Sequence, residues 1–179
     1  MVDADRATLI VIDVQEKLFK KMPEQGTLLK NMRQMIQGAR ALGLPIIWSE
    51  QYPVGLGPTI PLIAELLEGL KPISKKTFSC CGEKKLNKML QATGRKRYLL
   101  MGIECHVCVY QTALDLLRDG YEVEVVADAV ASRTDENKKI GLERVRRAGA
   151  GITSVETILF ELLKVGEGPE FKKILEIIK

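Results

Sequence analysis

The chain has 179 residues, 46% apolar and 28% charged, which is enough for a sizeable core and reads as one domain over 1–179. Its net charge of +4 is small, and its basic runs at 84–88 and 144–147 carry no interleaved aromatics, which argues against a nucleic-acid partner. No apolar run approaches the roughly 20 residues of a membrane span, and the acidic start with Asp3 and Asp5 is unlike a secretory leader, so no membrane is expected and the cytoplasm is the expected location.

Apolar runs and helical spacing alternate along the chain. Residues 7–14 (ATLIVIDV) read as a buried strand, and 28–42 as a helix stopped by Gly43. A second strand is predicted at 45–49, then a Gly- and Pro-rich loop at 50–61 and a short helix at 60–67. Residues 71–74 read as a third strand, 83–91 as a helix stopping near Gly94, and 98–103 as a fourth strand. A helix at 107–118 ends at Gly120, and 122–127 (EVEVVA) is a fifth strand. Residues 135–148 form a helix capped by Thr134 or Asp135. A last strand at 151–154 precedes helices at 155–163 and 169–178. Six short, nearly continuous apolar strands separated by helices predict an α/β protein, a three-layer doubly wound (Rossmann-like) parallel sheet covered on both faces.

The richest stretch is 98–117, YLLMGIECHVCVYQTALDLL, a strand running into a helix with Cys105, Cys108 and the only histidine, His106, at the junction. A cysteine there faces unpaired N–H groups and the positive end of the helix dipole, which favours the nucleophilic thiolate. The junction also lies at the carboxyl end of a strand, where ligands bind in such sheets. Asp13 closes the first strand; it is either a turn cap or a general base facing the same crevice. Lys75 and Lys76 follow the third strand, either as a solvated pair or as a crevice cation that would lower the pKa of a nearby thiol and carboxylate.

The four cysteines, Cys80, Cys81, Cys105 and Cys108, are expected as free thiols. Cys105 and Cys108 fit a C-x-x-C redox pair, while a zinc set drawn from these cysteines and His106 lacks the usual ligand spacing. His106 lies two residues from Cys108, and side chains two apart on a helix do not face each other. That leaves Asp13 as the base candidate. No P-loop is present, and no G-x-G-x-x-G follows the first strand.

VIDVQ at 11–15, KKTFS at 75–79 and GIECHVCVYQTALDLL at 102–117 together resemble the isochorismatase-like cysteine hydrolases. SEQYPVGLGPT at 49–59 resembles the isochorismatase-domain-containing branch, and the likeness runs from about Thr8 to Leu163. The resemblance implies a six-stranded parallel sheet and an Asp–Lys–Cys triad. By position these are Asp13, Lys75 (selected over Lys76 by the following Phe78 and Ser79) and Cys108, with Cys105 where the family usually has Thr or Ala. It also implies a non-proline cis peptide at Ile103–Glu104, aiming the backbone N–H groups of Glu104 and Cys108 at an oxyanion.

The implied activity is cleavage of a C–N bond in a small amide-like molecule through a thioester on Cys108, with no cofactor, in a homo-oligomer. The zinc-binding Asp and two His of the family's nicotinamidases have no counterpart before Lys75, so no metal is expected. Gln15, Phe19, Trp48, Tyr52, Phe78 and Glu104 are the expected pocket lining. The alternative is a non-enzymatic or redox-responsive binding protein on the same fold, using the Cys105 and Cys108 thiols. The C-terminal helix carries an apolar stripe of Phe171, Ile174, Leu175 and Ile178, for its own core or for a partner.

Overall fold

The computed structural model describes residues 2–179. Its strands are β1 (Ala7–Ile12), β2 (Ile46–Gln51), β3 (Ile73–Lys75), β4 (Arg97–Ile103), β5 (Glu122–Ala131) and β6 (Gly151–Thr153). They form one sheet in the order β3-β2-β1-β4-β5-β6, with every pairing parallel. The helices are α1 (Glu16–Phe19), α2 (Gln25–Ala41), α3 (Pro53–Leu56), α4 (Pro61–Ala64), α5 (Lys84–Thr93), α6 (Tyr110–Arg118), α7 (Asp135–Arg147), α8 (Val155–Leu163) and α9 (Gly168–Ile178).

Every residue of β1 is buried, as a central parallel strand requires. Side chains alternate along it. Leu9 and Val11 pack with Met32, Met35 and Ile36 of α2, Leu159 of α8 and Ile174 of α9. Ile10 and Ile12 pack with Leu86 of α5, Ala113 and Leu116 of α6 and Val145 of α7. The C-terminal stripe thus meets its own subunit: α9 buries Ile174, and its Ile177 carbonyl accepts a hydrogen bond from Gln34 of α2 at 2.8 Å.

Local signals set the helix ends. Thr134 caps α7 by accepting from Asn137 N–H at 3.2 Å, with Asp135 and Glu136 in the first turn and Arg144, Arg146 and Arg147 in the last. Strand β5 runs four residues past its predicted end because Asp128 does not break it. Its carboxylate accepts from Val155 N–H at the start of α8, and its carbonyl accepts from Asn31 of α2, so the polar residue inside the strand is satisfied.

The register places the carboxyl ends of the central strands side by side. Ile12 of β1 stands opposite Ser49 of β2 and Gly102 of β4, and Gln51 of β2 opposite Lys75 of β3. Gly102 sits at φ 130°, and a Cβ there would lie 2.0 Å from the carbonyl oxygen of Ile12. Only glycine permits β1 and β4 to approach this closely where they carry Asp13 and the cysteine loop.

Candidate active site

Asp13 follows β1 in a left-handed conformation, φ 52°, which aspartate tolerates better than most residues. Its N–H donates to the Ser49 carbonyl at 3.2 Å, and its carbonyl accepts from Gln15 N–H at 2.8 Å. This turn holds a fully buried carboxylate over the sheet edge. Lys75 donates to Asp13 Oδ2 at 2.6 Å, and both side chains are closed to solvent. The Lys75 ammonium also donates to Gln51 Oε1 (2.8 Å) and to the carbonyls of Phe78 (3.0 Å) and Thr77 (3.3 Å). Burial alone would lower the Lys75 pKa, but the charge of Asp13, reinforced by the thiols of Cys80 and Cys108, raises it above its ordinary value. Lys76 is exposed, so the structure brings Lys75 and not Lys76 to the aspartate.

Beyond β4 the Ile103–Glu104 peptide is cis. The chain then enters a wide turn over Cys105–Val109, in which Val109 N–H reaches back five residues to the Glu104 carbonyl at 3.3 Å. The sequence predicts an ordinary helix from 107; the wider turn comes first, and α6 starts at Tyr110. Such π-type turns are frequent at functional sites.

Cys108 lies in this turn, 5% exposed, and its thiol is close enough to Asp13 to feel that side chain's charge. The structure thus brings Asp13, Lys75 and Cys108 together. The expected thiolate is not favoured there. Burial and the Asp13 charge push the Cys108 pKa up, and Lys75 offsets this only in part, because its charge is shared with the aspartate. The shift favours the thiol over the thiolate.

His106 and Cys105 point elsewhere. His106 Nδ1 pairs with Ser132 Oγ at 2.9 Å, and Cys105 Sγ contacts the Lys138 carbonyl of α7 at 3.8 Å. Burial pushes the Cys105 pKa up to about 12. All four cysteines are free thiols.

The predicted pocket lining needs correction. Trp48 and Phe19 pack in the core on the α2 side of the sheet, opposite the layer that holds Cys108. Trp48 sits on the other face because β2 alternates: Ile47 joins the Cys108 layer, so Ser49 and Gln51 share that face and Trp48 does not. The Trp48 indole N–H is used by Thr59 Oγ1 at 2.8 Å. Gln15 is a clamp: its amide donates to the carbonyls of Gln51 (3.0 Å) and Gly57 (2.7 Å) and accepts from Gln51 N–H (2.7 Å). Glu104 is nearly buried, and its carboxylate accepts from the N–H and Nε of Arg133, at 3.1 and 2.9 Å.

Tyr52 and Phe78 remain at the rim, 50% and 54% exposed. Both adjoin Lys75 through the backbone, since Tyr52 N–H donates to the Lys75 carbonyl at 2.9 Å and the Phe78 carbonyl receives the ammonium. Ser49, Gln51 and Cys80 are site residues that the sequence reading missed. The alternation of IIWSEQ, with polar residues at two positions in phase with Ile47, is the signal that would have found the first two. Among the described residues, no three His, Cys, Asp or Glu side chains converge as a metal site requires.

The family model for the isochorismatase domain matches residues 7–157. The chain belongs to this family. It is 40% identical over 168 residues to isochorismatase domain-containing protein 1 of Danio rerio, covering 93% of this chain and 59% of that one. It is thus shorter than that relative by a large margin. It is 42% identical over 178 residues to the secreted isochorismatase effector Isc1 of Phytophthora sojae, covering 97% and 84%.

Among solved structures, the MAR1 ribonuclease of Caenorhabditis elegans superposes with a TM-score of 0.92 at 35% identity, covering 99% of this chain and 91% of that one. The YcaC gene product of Escherichia coli, described as an octameric hydrolase of unknown specificity, shares the fold with a TM-score of 0.94 at 22% identity, covering 99% and 88%. The family supports an enzyme of the isochorismatase-like hydrolase type on a six-stranded parallel sheet with helices on both sides. Among the described residues no helix is long and apolar enough to cross a membrane.

Proposed function

We propose that residues 1–179 act as one hydrolase domain that cleaves a C–N bond of a small amide-like molecule through a thioester on Cys108. The observation that carries this reading is the Asp13 carboxylate, bound to the Lys75 ammonium at 2.6 Å and near enough to Cys108 for its charge to act on the thiol. Asp13 takes the thiol proton as sulfur attacks the carbonyl carbon. Lys75 keeps the proton-sharing pair electrically balanced. The backbone N–H groups of Glu104 and Cys108 receive the oxyanion. Asp13 then returns the proton to the departing amine, and water, activated by the same carboxylate, hydrolyses the thioester. No step calls on a metal or a cofactor.

The small-substrate reading follows from access. The reacting sulfur belongs to a residue only 5% exposed, and the acid and cation are closed to solvent. Such narrow access suits a compact molecule better than a polymer. Tyr52 and Phe78 offer apolar faces at the rim. The proposal extends to a homo-oligomer acting in the cytoplasm; the YcaC neighbour is octameric, whereas the relative Isc1 is described as secreted.

The test is turnover of a panel of small amides and ureas by wild type, Cys108→Ala and Asp13→Asn, with single-stranded RNA as the polymer control. The reading expects amine release from at least one small amide, abolished in both variants, and no RNA cleavage. Cleavage of RNA without turnover of any amide would overturn it.

A further inference from the structure

Asp13 has two oxygens, and the mechanism above uses the partner of only one. Oδ2 is held by Lys75; Oδ1 accepts a hydrogen bond from Ser49 Oγ at 2.8 Å. Ser49 is completely buried, so water does not replace this donor. The hydroxyl can turn, and something must fix which way its proton points. Cys80 does so: its sulfur lies 3.5 Å from Ser49 Oγ as the donor, leaving the serine proton for Asp13.

Cys80 is itself fully buried and anchored, its N–H donating to Thr112 Oγ1 at 3.0 Å. Thr112 belongs to α6, the helix that directly follows the turn bearing Cys108. The chain Cys80–Ser49–Asp13 is therefore clamped at its far end to the segment that bears the nucleophile.

We propose that Ser49, oriented by Cys80, is a positioning residue that holds the Asp13 carboxylate turned toward Cys108. This rests on Asp13 acting as the base. A carboxylate that loses a donor to its charged form is protonated more readily. The titratable groups facing Asp13 are Lys75 from β3, Cys80 from the turn after β3, and Cys108 from the turn after β4. Burial, together with Asp13, pushes Cys80 up to about 11, so it is neutral at the pH where a carboxylate titrates and acts there only as a donor.

The experiment follows the rate of iodoacetamide labelling of Cys108 from pH 4 to 9, with the modified peptide identified by mass spectrometry. With Asp13 accepting the proton, wild type labels on a plateau bounded by an acid limb. In Ser49→Ala the acid limb moves up by roughly one pH unit, in Cys80→Ala it moves the same way by less, and in Ser49→Thr, which keeps the hydroxyl, it returns to the wild-type position. A role in packing alone would scale the rate and leave the limb in place.

A limb unmoved in Ser49→Ala overturns the Ser49 role, and one unmoved in Cys80→Ala overturns the part given to Cys80. Asp13→Asn separates the two readings, with Asp13→Asn/Lys75→Met taking its place should the single variant not fold. Loss of the limb keeps Asp13 as the base, whatever Ser49 does. A limb that survives there overturns the base assignment and the Ser49 role with it.

Discussion

Asp13 and Lys75 carry opposite charges where water does not reach, and neither is sustained alone. Removing one partner of such a pair costs about 3–5 kcal/mol, because the other charge is left buried without compensation. Asp13→Asn and Lys75→Met should each lower the unfolding free energy by that order. The double variant should recover part of the loss, since no charge is then stranded. Additive losses, measured by urea unfolding of the four proteins, would show that the two side chains are not coupled.

The acid was legible in the sequence, because a carboxylate after LIVI is unusual next to a buried strand, whereas Lys75 was singled out from Lys76 only by the family resemblance. Ser49 and Gln51 were not legible, since short polar residues at a strand end look like the start of a loop. Trp48 and Phe19 misled for the opposite reason: aromatic residues near a site pattern suggest a pocket, but strand parity and core packing put them in the other layer.

At the level of elements, the site depends on how closely β1 and β4 run. Gly102→Ala would drive a Cβ to 2.0 Å from the Ile12 carbonyl and at a φ of 130° would also be strained. The expected outcome is loss of the cooperative melt, or a destabilisation above about 4 kcal/mol; a thermal melt like that of wild type would contradict this close approach. The strand positions and their parallel sheet were readable because parallel strands buried on both faces are continuous apolar runs. The turn over Cys105–Val109 was not. Its hydrogen bonding skips one residue beyond the helical pattern, and nothing in CHVCV marks that. Strand β5 was read too short for a related reason: Asp128 breaks the apolar run, and its partners in α2 and α8 are distant in sequence.

Across the whole molecule, buried thiols tie stability to alkaline pH. Folding raises Cys80 to about 11 and both Cys81 and Cys105 to about 12, from an ordinary value of 9.0, in each case chiefly by burial. A thiol whose folded pKa is raised contributes stability that is complete below its unfolded value and is lost as pH rises through the window toward the folded one. The melting temperature should therefore fall from pH 9 toward pH 11, each such thiol contributing up to about 1.4 kcal/mol per pH unit. Cys105→Ala should melt with a shallower decline than wild type over that range; identical slopes would remove Cys105 from the account. The same burial favours the protonated form of Cys108, so the proposed mechanism requires Asp13 to take that proton.

The most direct test of that partnership is acid-quenched mass spectrometry of the protein mixed with a small amide that it turns over. The account predicts an acyl mass on the Cys108 peptide in wild type, no such mass on Cys80, Cys81 or Cys105, and no amine release by Cys108→Ala. Amine release by folded Cys108→Ala at the wild-type rate would contradict it.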